Sequence, residues 1–98
     1  MFTLSEENYL KAIYHLELDT GKGVSTNAIA KKLETKASSV SDMIKKLSEK
    51  DVVVYKKYKG VTLTGFGKKI AASIVRKHRL WEVFLVDKLN FSWDEVHD

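Results

Sequence analysis

Hydrophobic residues fall at helical spacing through most of this chain and change rhythm once. Leu10, Ile13 and Tyr14, with Leu4 and Leu18 further out, recur every three to four positions, which predicts a helix over about residues 5–19. Ser5, followed by two acids, is placed to start it. After a break at Gly21 and Gly23, Val24 and Ile29 stand five apart around Ser25. A Ser N-cap there puts Val24 at N′ and Ile29 at N4, the spacing of a hydrophobic staple, so a short helix is expected over about 25–33. Glu34-Thr35-Lys36 then connects to ASSVSDMIKKLSEK, where Val40, Met43, Ile44 and Leu47 fall at i, i+3, i+4 and i+7, the cleanest amphipathic pattern in the chain.

The rhythm changes at Val52. VVVYKKYKGVTLT is a β-branched and aromatic run interrupted by a basic tip and Gly60, which reads as a two-stranded hairpin. Thr64 can cap a long helix over about 65–88, with Ile70, Ile74, Trp81 and Leu85 along one stripe. Ser92, with Glu95 three residues on, is placed to start a last short helix. The expected fold is mainly α with a small β-hairpin: helix, short helix, turn, helix, hairpin and long helix, the order of a winged helix-turn-helix.

Ninety-eight residues suffice for one compact domain with a single core. With no cysteine, disulfides, thiolate metal sites and cysteine nucleophiles are excluded for this stretch. The N-terminus MFTLSEENYL has acids where a secretory signal needs a basic region, and no run is long enough to span a bilayer, so a cytoplasmic protein without a membrane role is expected. No Ser/His/Asp set, paired-carboxylate pocket or phosphate-binding glycine loop can be assembled, which argues against an enzyme. Seventeen Lys and Arg against thirteen Asp and Glu leave a net charge of +4, which favours an anionic partner.

The distribution of that charge is more informative than its sum. With Val40, Met43, Ile44 and Leu47 turned inward, the opposite arc of the third helix carries Ser38, Ser41, Asp42 and Lys45, flanked by Ser39 and Lys46. Small hydroxyls let a helix approach base edges, and lysines neutralise phosphate. A solvated helix face would look similar, but Lys56, Lys57 and Lys59 cluster around Tyr58 at the hairpin tip, and the two features together favour double-stranded DNA. His78 and Glu82 are four apart, so both point from one helix face. They fit either two ligands for a transition metal, with His97 folding back as a third, or an ordinary surface pair. His15 has no partner at ligand spacing and reads as an exposed helix residue outside any site.

The segments SEENYLKAIYHLE, SSVSDMIKKLSEKDVVVYKKYKGVTLTGFGKKIA, VRKHRLWEVFL and VHD together resemble the diphtheria toxin repressor and manganese transport regulator family across essentially the whole chain. The most specific parts are the hairpin running into LTGFGKKIA and the segment RKHRLWE. The resemblance implies a homodimeric, winged-helix transcriptional repressor of metal uptake that binds a palindromic operator when loaded with Mn(II) or Fe(II). By position it implies recognition-helix contacts from Ser38, Ser39, Ser41 and Asp42, flanking contacts from Thr26 and Lys36, and a wing contact from Lys59; the residue pattern adds Lys45, Lys46 and Lys57.

For metal, the resemblance implies His78, Glu82 and His97, with Asn8 at a helix 1 position where the family usually has Met or Asp. Lys11 stands where the manganese branch has a second carboxylate. Asn offers only a neutral carbonyl oxygen and a charged Lys none, so the identity of the metal stays open. On this reading residues 1–72 form the winged helix-turn-helix domain, and 73–98 the truncated beginning of a helical dimerisation and metal-binding domain. The competing readings are a metal-independent winged-helix DNA-binding regulator and a winged helix that binds protein alone.

Overall fold

The computed structural model describes residues 2–88, with side chains as far as Phe84. The expected helix at Ser92 and the candidate ligand His97 lie outside the described residues. Four helices and one antiparallel hairpin follow in the order α1 (Leu4–Thr20), α2 (Thr26–Leu33), α3 (Ala37–Glu49), β1 (Val53–Lys56), β2 (Gly60–Leu63) and α4 (Gly65–Lys88). This is the expected winged helix-turn-helix.

The first helix starts earlier than expected, because Thr3 and not Ser5 caps it. Thr3 Oγ1 accepts from the Glu6 amide at 3.1 Å and Glu6 Oε1 accepts from the Thr3 amide at 2.8 Å, a complete capping box. Ser5 has Asn8 three residues on and cannot close the same reciprocal pair. Glu6 is buried and also accepts two hydrogen bonds from the Lys50 ammonium, at 3.0 and 2.8 Å, which fastens the start of α1 to the end of α3. The Lys50 and Thr3 hydrogen bonds hold the Glu6 pKa below its ordinary value despite burial. Leu4 and Leu18, at the ends of the apolar stripe, are exposed.

Ser25 caps α2 as expected, accepting from the Ala28 amide at 3.0 Å, and both staple residues, Val24 and Ile29, are buried. The α2–α3 turn is closed by Glu34 in the left-handed region (φ 54) and by the Thr35 amide donating to the Ala30 carbonyl at 2.9 Å. Val40, Ile44 and Leu47 of α3 enter the core with Leu10 and Ile13 of α1, and Met43 packs at its edge.

The hairpin pairs Val53 with Leu63 through Lys56 with Gly60. A feature not expected from the pattern ties it to the domain: Val24 and Val61 exchange backbone hydrogen bonds of 2.8 and 2.7 Å, so the residue before the α2 cap forms a β-bridge to the wing. Two glycines make that approach possible, since a Cβ on Gly23 would collide with the Lys59 carbonyl oxygen and one on Gly60 would lie 2.6 Å from that of Val24.

Thr64 caps α4, accepting from the Gly67 amide at 2.9 Å while donating to the Asp51 carbonyl at 2.7 Å. Of the expected stripe on α4, the first half holds and Trp81 departs from it. Ala71 and Ile74 are buried and Ile70 is partly so, but Trp81 is 59% exposed. Beyond Ile74 the face turned to α1 carries Val75, His78 and Glu82 instead.

Candidate nucleic-acid interface

The outer arc of α3 is laid out as its amphipathic pattern requires. Ser38, Ser39, Ser41, Asp42, Lys45 and Lys46 are all exposed, because the residues between them are held in the core. Lys36, at the N-cap of α3, makes no side-chain cap and is exposed. Thr26, at the first turn of α2, is half-buried. Two grooves run along this side. One, of about 430 Å³, is lined by Thr26, Ser41, Ile44, Lys45, Ser48 and Tyr55. The other, of about 640 Å³, lies between α2 and the wing and includes Lys22, Ser25, Thr26, Tyr55, Lys56 and Lys59. Thr26 and Tyr55 line both, so α3 and the wing border one continuous surface.

Tyr55 was not singled out from the sequence. Strand alternation places Tyr55 on the same side as Val53, which is buried, and so carries no signal of its exposure. Only Val53 of β1 is buried, however, and Tyr55 stands 55% exposed beside Lys45. Lys57 is exposed on the turn and Lys59 follows it, its amide closing the turn on the Lys56 carbonyl at 3.0 Å. The surface therefore offers hydroxyls and ammonium groups, with Asp42 as its one acidic candidate, and suits a phosphate backbone with polar base edges.

The second candidate region is a cleft of about 200 Å³ between α1 and α4, lined by Lys11, His15, Val75, His78, Arg79 and Glu82. Here one expectation is corrected. His15 is half-buried and shares this cleft with His78 and Glu82, whereas it was expected on the open surface. Glu7, Lys11 and His15 stand at i, i+4 and i+8, so one α1 face carries all three toward α4.

Burial, with the charges of Lys32, Lys11 and Arg79 against that of Asp19, pushes the His15 pKa below 6.5. Glu7, also missed, sits 3.7 Å from His78 Nε2 and 3.4 Å from Lys77 Nζ. Asn8 is exposed and does not line the cleft. Among the described residues, no group of three or more His, Cys, Asp or Glu is gathered to hold a metal. The imidazole of His78 and carboxylate of Glu82, on one helix face at the border of a polar cleft, are donors of the type a transition dication takes, and fit as part of a site.

No helix among the described residues is long and apolar enough to cross a membrane. Residues 1–61 match the family model of the iron dependent repressor N-terminal DNA binding domain, and residues 64–98 that of the iron dependent repressor metal binding and dimerisation domain. The chain is 41% identical over 85 residues to the HTH-type transcriptional regulator MntR of Shouchella clausii (strain KSM-K16) and 40% identical to that of Bacillus subtilis (strain 168). Each alignment covers 87% of this chain and 59% of the relative, so the chain spans well under two thirds of those proteins.

Among solved structures, a manganese-dependent transcriptional repressor in complex with manganese superposes with a TM-score of 0.83 at 41% identity, covering 95% of this chain and 42% of that one. The manganese regulator SloR gives 0.81 at 42% identity, covering 98% and 44%. The IdeR protein of T. acidophilum gives 0.81 at 30% identity, covering 98% and 45%.

Proposed function

The chain belongs to the iron dependent repressor family, and on that premise we propose that it is the DNA-binding part of a metal-dependent transcriptional repressor. It acts as a homodimer on a palindromic operator of metal-uptake genes, in the cytoplasm, where the operator lies. The observation that carries this reading is the continuous surface from α3 to the wing. Ser38, Ser39, Ser41 and Asp42 face outward where a helix in the major groove meets base edges, and Thr26, Lys36, Lys45, Lys46, Lys57 and Lys59 border it as phosphate contacts.

A dimer sets two such helices on successive turns of the duplex, which is why the operator is a palindrome. Metal acts on that spacing. His78 and Glu82, with His97 beyond the described residues, hold Mn(II) or Fe(II) in this reading, and Asn8 adds at most a neutral oxygen from α1. A cation held there would supply fixed positive charge for the carboxylate and imidazole donors to share. The chain's own part is to hold α1 and α4 in register through the polar residues of their shared cleft, so that the DNA-binding domain keeps one orientation. Residues 1–72 are the DNA-binding unit and 73–98 begin the dimerisation and metal-binding unit.

A second reading has its own support. Lys11 and Arg79 line the same cleft as His78 and Glu82, and such cations can occupy the position of a metal in a metal-independent DNA-binding regulator. The DNA assignment is tested by anisotropy titration of duplex DNA over a salt series. Lys45→Ala is expected to weaken binding and to reduce the slope of log affinity against log salt by about 1, as the loss of one phosphate contact requires. An unchanged slope removes Lys45 from the interface.

A further inference from the structure

The tip of the wing carries a residue that its own domain does not use. Tyr58 is the middle residue of the turn between β1 and β2 and sits in the left-handed region at φ 69. Glycine adopts that conformation freely and a bulky L side chain does not. Two residues on, at φ 84, the chain does use glycine, at Gly60. The Tyr58 side chain gains no core packing in return, for it is 92% exposed, with the Lys57 ammonium 5.3 Å from its ring centroid. A strained, exposed aromatic residue is accounted for by a contact outside the domain.

The surroundings define that contact. Lys57 and Lys59 flank Tyr58 in sequence, Lys56 precedes them, and all three are exposed. The groove that Tyr58 borders also contains Lys22, Ser25 and Thr26, and it continues past Tyr55 to Ser41 and Lys45 of α3. An extended polyanion lying on α3 therefore reaches the wing tip. The order lysine, aromatic ring, lysine matches phosphate, sugar, phosphate along a nucleic-acid strand. We propose that the Tyr58 ring packs on a deoxyribose of the duplex backbone beside the operator, between phosphates held by Lys57 and Lys59. This rests on the DNA-binding reading above, and adds to it an uncharged contact at the wing.

The test sets stability against affinity. Tyr58→Gly relieves the backbone and removes the ring, so it is expected to raise the Tm by about 2–6 °C. The same change is expected to weaken duplex binding about tenfold with an unchanged salt slope, since no charge is lost. Tyr58→Phe keeps the ring and is expected to bind within about twofold of the parent chain. Equal affinity for Tyr58→Gly, measured where Lys45→Ala does weaken binding, overturns the proposal. So does a salt slope reduced by about 1 in Tyr58→Gly, which would make the ring only a support for Lys57. Loss in Tyr58→Phe as large as in Tyr58→Gly also overturns the ring contact. If neither Lys45→Ala nor Tyr58→Gly alters duplex binding, the DNA reading itself fails along with it.

Discussion

Glu6 joins two jobs that are usually separate, capping α1 through Thr3 and receiving two hydrogen bonds from Lys50 at the end of α3. Its carboxylate is buried while Lys50 keeps contact with water, so losing the charge removes a strong hydrogen-bonded pair without stranding a cation in the core. Glu6→Gln preserves the cap geometry and isolates the charge; it is expected to lower the unfolding free energy by about 1–2 kcal/mol at neutral pH, measured by urea denaturation. Because the folded-state pKa is depressed, this contribution is complete above the ordinary carboxylate value of 4.5 and is lost as pH falls through the lowered one. The stability gap between parent and variant should therefore close below pH 4.5, and a gap constant down to acid would refute the ion-pair account.

At the scale of elements, the wing and α4 are positioned by close backbone approach. A Cβ on Gly67 would collide with the Val52 carbonyl oxygen, while one on Gly65 meets nothing within 4 Å. Gly67→Ala is thus expected to cost about 3 kcal/mol or more by driving α4 off the hairpin, whereas Gly65→Ala, in the first turn of the same helix, is expected to be neutral or to stabilise by up to about 1 kcal/mol. Thermal unfolding of the two variants checks the contrast, and equal effects would contradict it.

The elements themselves were largely legible, because α3 and the Ser25 cap declare themselves locally through periodicity and cap spacing. What was hidden depended on partners far along the chain. The pattern could not show that Thr3 outcompetes Ser5 through Glu6, nor that Val24 would bridge to Val61. Nor could it show that the face shared by Lys11 and His15 lies on α4, which moved His15 from open surface into the cleft with His78. The exposed outer arc of α3 was readable for the same reason α3 was, whereas Tyr55 joined the surface only through the way the wing folds beside it.

At the scale of the whole molecule, the far half of α4 turns apolar residues outward. Leu80, Trp81, Val83 and Phe84 are exposed, and the rings of Trp81 and Phe84 stack at 5.3 Å. Such a patch suits burial against a partner, which in the proposed function is a second copy. Trp81→Glu is expected to shift the protein toward monomer in sedimentation velocity and to weaken operator binding with it; an unchanged dimer would place the interface elsewhere.

In the proposed function, two DNA-reading surfaces, the apolar patch and the His78/Glu82 pair would work as one device, with a bound metal favouring the arrangement that both half-sites accept. The most direct test is anisotropy titration of the duplex that this protein selects from a random pool, at one salt concentration, with Mn(II), with Fe(II) and with chelator. Affinity at least about tenfold tighter with one of the metals is the expected result. Equal affinity in all three conditions would contradict the account.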